Sequence, residues 1–166
     1  IAAFARGFFA CADAFGVDLA GDDTTRGPLA LSVTIAGEVP AGAAITRGGA
    51  HAGDDLWVSG QPGRAALGLA ALRGEAELDA PHRAQFVDAL QRPQPRVALG
   101  LALRGLASAM LDVSDGLLGD LRHILECSGT GAIVEAAALP LAALAASGAD
   151  AALCRRCLLA GGDDYE

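Results

Sequence analysis

The chain has 166 residues, of which 52% are hydrophobic and only 4% aromatic, and its formal net charge is −8. This length suits one domain or parts of two. The negative charge argues against a nucleic-acid-binding surface, which requires a basic stripe. No stretch is apolar and uncharged for the length that spans a bilayer, so we expect no membrane segment.

The first forty residues predict a helix followed by a strand. Apolar residues recur at helical spacing from Ile1 to Phe15, and this amphipathic helix should end near Gly16. A turn-prone acidic segment occupies residues 21–28. A strand with one buried face is predicted next, because larger apolar residues alternate with smaller ones at Leu29, Leu31, Val33 and Ile35.

The rest of the chain predicts an alternation of short strands and helices. Strands are expected at 54–60, 108–113 and 131–136, where apolar residues follow turns. Helices are expected at 62–72, between Pro81 and Pro93, at 97–107, from Asp115 to about Cys127, at 140–148 and at 150–160. Alternating strands and helices indicate an α/β or α+β layer architecture.

The four cysteines do not form a recognisable metal or redox motif. Only Cys154 and Cys157 are close in sequence, and no second cysteine pair or nearby histidine completes a ligand set. We therefore expect reduced, packed thiols in a cytoplasmic protein.

Three acidic turns have a shared form, with Asp beside Gly and with Ser or Thr nearby in two of them. They read GDDTTRG at 21–27, LDVSDG at 111–116 and GGDDYE at 161–166. Each alone is also explained by turn formation or helix capping. Together they favour a site where carboxylates hold Mg²⁺ and the metal attracts a phosphate ligand. Arg26 and Arg47, each beside Gly, are either phosphate contacts or ordinary surface charges.

Asp112 and Asp115 lie three residues apart at the end of a predicted strand, with Ser114 between them. Two carboxylates this close repel each other unless positive charge compensates them. We expect that compensation from a metal ion and from the N-terminus of the following helix.

These segments resemble consecutive blocks of the thiamine-monophosphate kinase family, over essentially the whole chain. The resembling blocks are GDDTTRGPLALSVTIAGEV, RGGAHAGDDLWVSGQPGRAALGL, MLDVSDGLLGDLRHIL and GGDDYE. The resemblance implies the two-domain fold of the aminoimidazole ribonucleotide synthetase-like ATP-binding superfamily. Residues 1–40 would end its N-terminal ATP-binding sheet domain, and residues 41–166 would begin its C-terminal α/β domain.

The activity that the resemblance implies is ATP- and Mg²⁺-dependent conversion of thiamine monophosphate to thiamine diphosphate by direct in-line transfer, without a covalent enzyme nucleophile. It also implies a cytoplasmic enzyme that forms a homodimer when full length. Because the chain starts with Ile1 and ends where a strand is predicted, we interpret it as a fragment of a longer protein.

The resemblance assigns roles residue by residue. The implied metal ligands are Asp23, Asp112 and Asp115. The implied ATP contacts are Asp22, Asp23, Arg47 and Ser114. Asp163 would contact thiamine monophosphate. The sequence departs from the family pattern at four positions, with Asp22 in place of Gly, Gly48 in place of Ser, His51 in place of Lys and Asp163 in place of Glu.

Two alternatives remain open at this stage. The chain could belong to another phosphotransferase or ligase of the same superfamily. It could equally belong to a non-catalytic module that binds nucleotide or metal without turnover.

Overall fold

The computed structural model describes all residues from 1 to 166, in two units, Ile1–Val39 and Pro40–Glu166. Regular structure consists of helices only, and none of them combines the length and apolar character needed to cross a bilayer. The helices are α1 (Ala2–Phe15), α2 (Arg64–Leu72), α3 (Ala80–Gln91), α4 (Val97–Ala102), α5 (Leu117–Ser128), α6 (Leu141–Ala145) and α7 (Ala151–Ala160), with one 3₁₀ turn at Ala136–Ala138.

The first unit consists of α1 and an irregular segment. The predicted helix is confirmed, although none of its residues is buried. The strand predicted around residues 29–35 is wrong. Residues 18–39 form no hydrogen bond, and the four alternating side chains are highly exposed, at 92%, 62%, 64% and 75% for Leu29, Leu31, Val33 and Ile35. A strand requires a partner backbone to complete its hydrogen bonds, and this segment has none.

The other predicted strands are also absent. The segment at 108–113 comes nearest, since the Met110 N–H donates to the Thr46 carbonyl at 3.1 Å and Val113 bonds to the last residues of the chain. These bonds do not continue as a ladder, and Asp163 and Tyr165 interrupt the pleat with φ of 67° and 55°. The strand component of the predicted α/β or α+β class is therefore not observed in this chain.

Local sequence signals explain the helices of the second unit. Asp79 caps α3 by accepting from the His82 N–H at 2.9 Å, and Pro81 occupies the first turn. The helix predicted between Pro81 and Pro93 is thus confirmed. The helix predicted at 97–107 is shorter than expected and ends at Ala102. A turn follows it, in which the Leu106 N–H donates to the Leu103 carbonyl.

The core of the second unit is built around α7, which contacts α2, α5 and α6. Its buried members are Leu67, Phe86, Leu144, Cys154, Cys157 and Leu158. The most extensive contact between helices is that of α2 with α3, and Gly68 permits it, because a Cβ there would lie 2.3 Å from the Phe86 carbonyl oxygen. Burial raises the pKa of the Cys154 and Cys157 thiols, so both pack as small apolar side chains.

Candidate functional site

Two of the three acidic turns, 112–116 and 161–166, lie side by side in the second unit. The Asp163 N–H donates to the Ser114 carbonyl and the Tyr165 N–H to the Val113 carbonyl, each at 2.9 Å. The Val113 N–H donates in return to the Glu166 carbonyl at 3.1 Å. Motifs separated by about fifty residues of sequence therefore form one continuous surface.

The backbone of the 161–166 turn is constrained by this contact. A Cβ at Gly162 would lie only 2.3 Å from the Ser114 carbonyl oxygen, so only glycine fits there. Asp163 and Tyr165 adopt left-handed backbone conformations, with φ of 67° and 55°. Such conformations cost about 1–2 kcal/mol each in non-glycine residues and cluster at functional sites.

The predicted ligand side chains on these turns face solvent. Asp112, Asp115 and Asp163 are exposed, and their carboxylates have neither an ion pair nor a hydrogen bond to the protein. Ser114 is half-buried. Uncompensated carboxylates are the oxygen donors that hard cations prefer. No group of three or more His, Cys, Asp or Glu side chains is arranged to hold a metal ion, so a metal would need ligands beyond this pair of turns.

The N-terminus of α5 follows this turn directly, but none of its N–H groups donates to the carboxylates of Asp112 or Asp115. The N–H groups of Ser114, Asp115 and Gly116 all donate to Asp120 Oδ2, each at 3.0 Å. Asp120 itself is only 3% exposed. The helix begins at Leu117 instead of the predicted Asp115, and no side chain accepts from the N–H groups of its first turn.

Asp164, next to the predicted ligand Asp163, has a structural role that the sequence did not reveal. Its carboxylate accepts from the Gly63 N–H at 2.5 Å and from the Ala65 N–H at 2.9 Å, and thereby caps α2. Burial raises the pKa of Asp164, and the two N–H donors partly oppose that effect. The turn at 161–166 is thus anchored to the start of α2.

The raised pKa of Asp164 predicts a pH-dependent stability contribution. A folded-state pKa above the unfolded value of about 3.9 means that the folded protein holds its proton to higher pH. The protonated Asp164 carboxyl thus adds to the free energy of unfolding. This stabilisation is complete below the unfolded pKa and is lost as pH rises through the folded pKa. The unfolding free energy of the wild type should therefore fall relative to that of Asp164→Asn over this interval. Denaturant unfolding of both proteins across pH measures the difference, and a constant difference would contradict the prediction.

Glu166 is a second anchor of the same turn. Its side chain is 3% exposed and forms ion pairs with Arg64, at 3.1 Å, and with Arg96. The Ser59 hydroxyl also donates to it at 3.3 Å. These contacts tie the 161–166 turn to α2 and to the segment before α4, which leaves Asp163 as the acid of this turn without a protein partner.

Arg47 lies in a loop at the other end of α5. The Ser128 hydroxyl donates to the Arg47 carbonyl at 3.2 Å and accepts from the N–H groups of Gly49 and Ala50 at 3.2 and 3.1 Å. The Arg47 guanidinium is exposed and unpaired. The Met110 N–H, two residues before Asp112, donates to the carbonyl of Thr46 at 3.1 Å, so the Arg47 loop also adjoins the segment that leads into the acidic turn.

The remaining predicted residues are less constrained. Asp22 and Asp23 belong to the first unit, where both are exposed and make no hydrogen bond or ion pair. His51 is exposed, and its N–H donates to Asp54 at 2.9 Å. A hydrogen bond from the Ser108 hydroxyl and the one from His51 hold the pKa of Asp54 below its usual value.

The two joined turns thus present exposed carboxylates beside glycines, without a complete set of ligands for a metal ion. Residues 51–155 match the family described as AIR synthase related protein, C-terminal domain. The chain belongs to this family.

Several named relatives are similar to this chain over most of its length. The chain is 42% identical over 165 residues to a thiamine-monophosphate kinase of Salmonella typhimurium. The matched region covers 99% of this chain and 51% of the relative. A crystal structure of a thiamine-monophosphate kinase from Stenotrophomonas maltophilia matches 98% of this chain and 53% of its own, with 47% identity and a TM-score of 0.85. The structure of AaThiL complexed with AMPPCP and TMP matches 73% of this chain and 40% of its own, with 29% identity and a TM-score of 0.59. The chain thus spans about half the length of these relatives.

Proposed function

We propose that this chain is part of an enzyme that phosphorylates thiamine monophosphate to thiamine diphosphate at the expense of ATP. The observation that carries the proposal is the joining of the turns 112–116 and 161–166 into one acidic surface. Similarity over nearly the whole chain to proteins named thiamine-monophosphate kinase supports it. We also propose that residues 1–40 end one domain and residues 41–166 begin the next, and the division of the structure into the units Ile1–Val39 and Pro40–Glu166 supports this boundary.

The residues of the acidic surface fit a magnesium-nucleotide complex. Asp112 and Asp115 offer exposed carboxylates with no protein cation to neutralise them, and we assign them with Asp23 as Mg²⁺ ligands. The bound metal would supply the positive charge that offsets a polyphosphate. AMPPCP, a non-hydrolysable analogue of ATP, occupies the related AaThiL, which supports ATP as the phosphate donor.

The remaining assignments place the two substrates. Asp22, Asp23, Arg47 and Ser114 contact ATP in this proposal, and Asp163 contacts thiamine monophosphate. The chain's own contribution is to orient the acceptor phosphate in line with the γ-phosphate and to place the Arg47 charge beside it. The assigned set needs no covalent nucleophile, because a phosphate oxygen of the acceptor attacks directly. We further propose a cytoplasmic, homodimeric enzyme.

The activity assay that tests the proposal uses the purified full-length protein with ATP and Mg²⁺. We expect ADP release that depends on added thiamine monophosphate. Phosphorylation of a different acceptor, with none of thiamine monophosphate, would favour another phosphotransferase of the superfamily. Binding of Mg²⁺-AMPPCP without any turnover would favour a non-catalytic nucleotide-binding module.

We expect Asp163 to contact the acceptor substrate, thiamine monophosphate, and not the nucleotide. Asp163→Asn removes the charge but keeps a residue that tolerates the left-handed backbone at φ 67°. We expect binding of thiamine monophosphate to weaken about tenfold, as a charge-assisted hydrogen bond is lost. Calorimetric affinity for Mg²⁺-AMPPCP should stay within about twofold.

The matched variant for this test is Asp163→Glu, which retains the charge and restores the side-chain length of the family pattern. It should bind thiamine monophosphate at least as well as the wild type. Equal weakening of both ligands in Asp163→Asn would contradict the assignment.

A further inference from the structure

We propose that α5 carries two positioning residues, Asp120 near its start and Ser128 at its end, which hold the acidic turn and the Arg47 loop ready for the nucleotide. The inference rests on the proposed function, because it takes Ser114, Asp115 and Arg47 as ligand contacts. Neither Asp120 nor Ser128 would touch the ligand itself. Each would act through the backbone of the residues that do.

The hydrogen bonds of Asp120 differ from those of an ordinary helix cap. Asp79 and Asp150 precede their helices and accept from N–H groups within the first turn, as the sequence-level rule predicts. Asp120 instead lies inside α5 and reaches back to three N–H groups that come before the helix. Its bonds therefore fix the backbone of the acidic turn more than that of the helix.

The residues that Asp120 holds include two predicted ligands. Its Oδ2 atom accepts from Ser114 and Asp115, whose side chains remain free. With Asp120 at 3% exposure, these bonds are shielded from competing water. Supporting residues of this kind orient metal ligands, and their loss weakens metal binding by about 10–100-fold.

Ser128 holds the Arg47 loop in the same way. Its one hydroxyl group bonds to the Arg47 carbonyl and to the N–H groups of Gly49 and Ala50. Three bonds from a single side chain fix the backbone on both sides of the Gly48–Gly49 pair, which has little conformational restriction of its own. The exposed Arg47 side chain thereby projects from a defined position.

One helix, α5, carries both positioning residues and is itself packed on the core. Its 12 residues rise about 18 Å. Leu121 is buried, α5 packs against α7, and Arg122 pairs with Glu126 at 2.6 Å on the exposed face. The packing of α5 against α7 therefore fixes Asp120 and Ser128 relative to the core, and with them the backbone of the two loops.

The test uses Asp120→Asn and Ser128→Ala in the full-length protein, with amide hydrogen exchange as the readout that needs neither metal nor activity. Asp120→Asn should speed exchange at residues 114–116, and Ser128→Ala at residues 49 and 50. Calorimetry with Mg²⁺-AMPPCP should show a 10–100-fold weaker, more Mg²⁺-dependent affinity for Asp120→Asn. Ser128→Ala should raise KM for ATP about tenfold and leave KM for thiamine monophosphate unchanged.

Two controls separate positioning from stability. Asp150→Asn removes the charge of a helix-capping carboxylate, and Ser147→Ala removes a buried hydroxyl that bonds to the Leu144 carbonyl at 2.6 Å. Both should lower thermal stability without altering exchange at the two loops or affinity for Mg²⁺-AMPPCP. If Asp120→Asn does not fold, Asp120→Glu keeps the charge and displaces the carboxylate by one methylene, and the same changes are expected.

Unchanged loop exchange, or nucleotide affinity equal to that of the controls, would overturn the positioning proposal. A failure of the proposed function looks different. In that case the wild type would show no turnover of thiamine monophosphate, while loop exchange and Mg²⁺-AMPPCP affinity would still decide the roles of Asp120 and Ser128.

Discussion

Replacing Asp112 by Asn in the full-length protein is expected to lower kcat/KM for ATP at least ~100-fold while leaving the fold intact. Removing one metal carboxylate forfeits several kcal/mol of charge stabilisation in the transition state. The stability of the folded protein should not change, because the Asp112 side chain is exposed and forms no hydrogen bond or ion pair with other residues. Steady-state kinetics and thermal unfolding of the same preparation measure both effects.

Asp13→Asn is the matched control for this change, since Asp13 is an exposed carboxylate of α1 with no proposed ligand. It should behave as the wild type. Near-normal activity of Asp112→Asn would remove Asp112 from the site. A large loss of stability would instead show that this carboxylate supports the fold.

The largest effect on stability is expected from Asp164→Ala, with a loss of about 3 kcal/mol in the free energy of unfolding. The Gly63 and Ala65 N–H groups would become buried donors without acceptors, each costing about 1–3 kcal/mol. Such a loss is a large fraction of the stability of a small domain. Denaturant unfolding with an unchanged m-value would give the difference.

Asp150→Ala provides the comparison for this loss. Asp150 also accepts from two N–H groups, of Ala152 and Leu153 at 3.0 Å, but in an exposed cap. Its replacement should cost about 1 kcal/mol. Equal losses in the two variants would show that burial adds nothing to the role of Asp164.

Local signals were sufficient to predict most of the helices. Asp79 followed by Pro81 marks the start of α3, and Pro93 follows its end, so the sequence alone places this helix closely. The sequence predicts the start of α5 at Asp115, two residues before the observed start at Leu117. The reason is that Gly116 adopts a non-helical backbone, with φ 126° and ψ 143°, and that the Asp115 N–H donates to Asp120.

The strands could not be judged from alternation alone. The pattern from Leu29 to Ile35 indicates which side chains would share a face of a strand. A strand forms only when its N–H and C=O groups bond to a second backbone segment. Residues 18–39 have no such partner in this chain, so the alternating side chains stay exposed. Residues 108–113 find isolated partners, and left-handed residues opposite them prevent a regular ladder.

The resemblance pointed to residues of the joined turns, but the sequence did not reveal what supports them. Asp164 caps a helix that begins 100 residues earlier in the chain, and no local pattern predicts such a contact. A signal for Asp120 did exist. It lies on the same side of α5 as Leu117, Leu121 and Ile124, and a carboxylate on an apolar face requires internal hydrogen bonds.

The most direct test of the proposed function follows the γ-phosphate itself. The full-length protein would be incubated with Mg²⁺, thiamine monophosphate and ATP labelled at the γ-phosphate, and products would be separated after denaturation. We predict that the label appears in the terminal phosphate of thiamine diphosphate and that none stays bound to protein. Label released as free phosphate or retained on the protein, with no labelled thiamine diphosphate, would contradict the proposed kinase function.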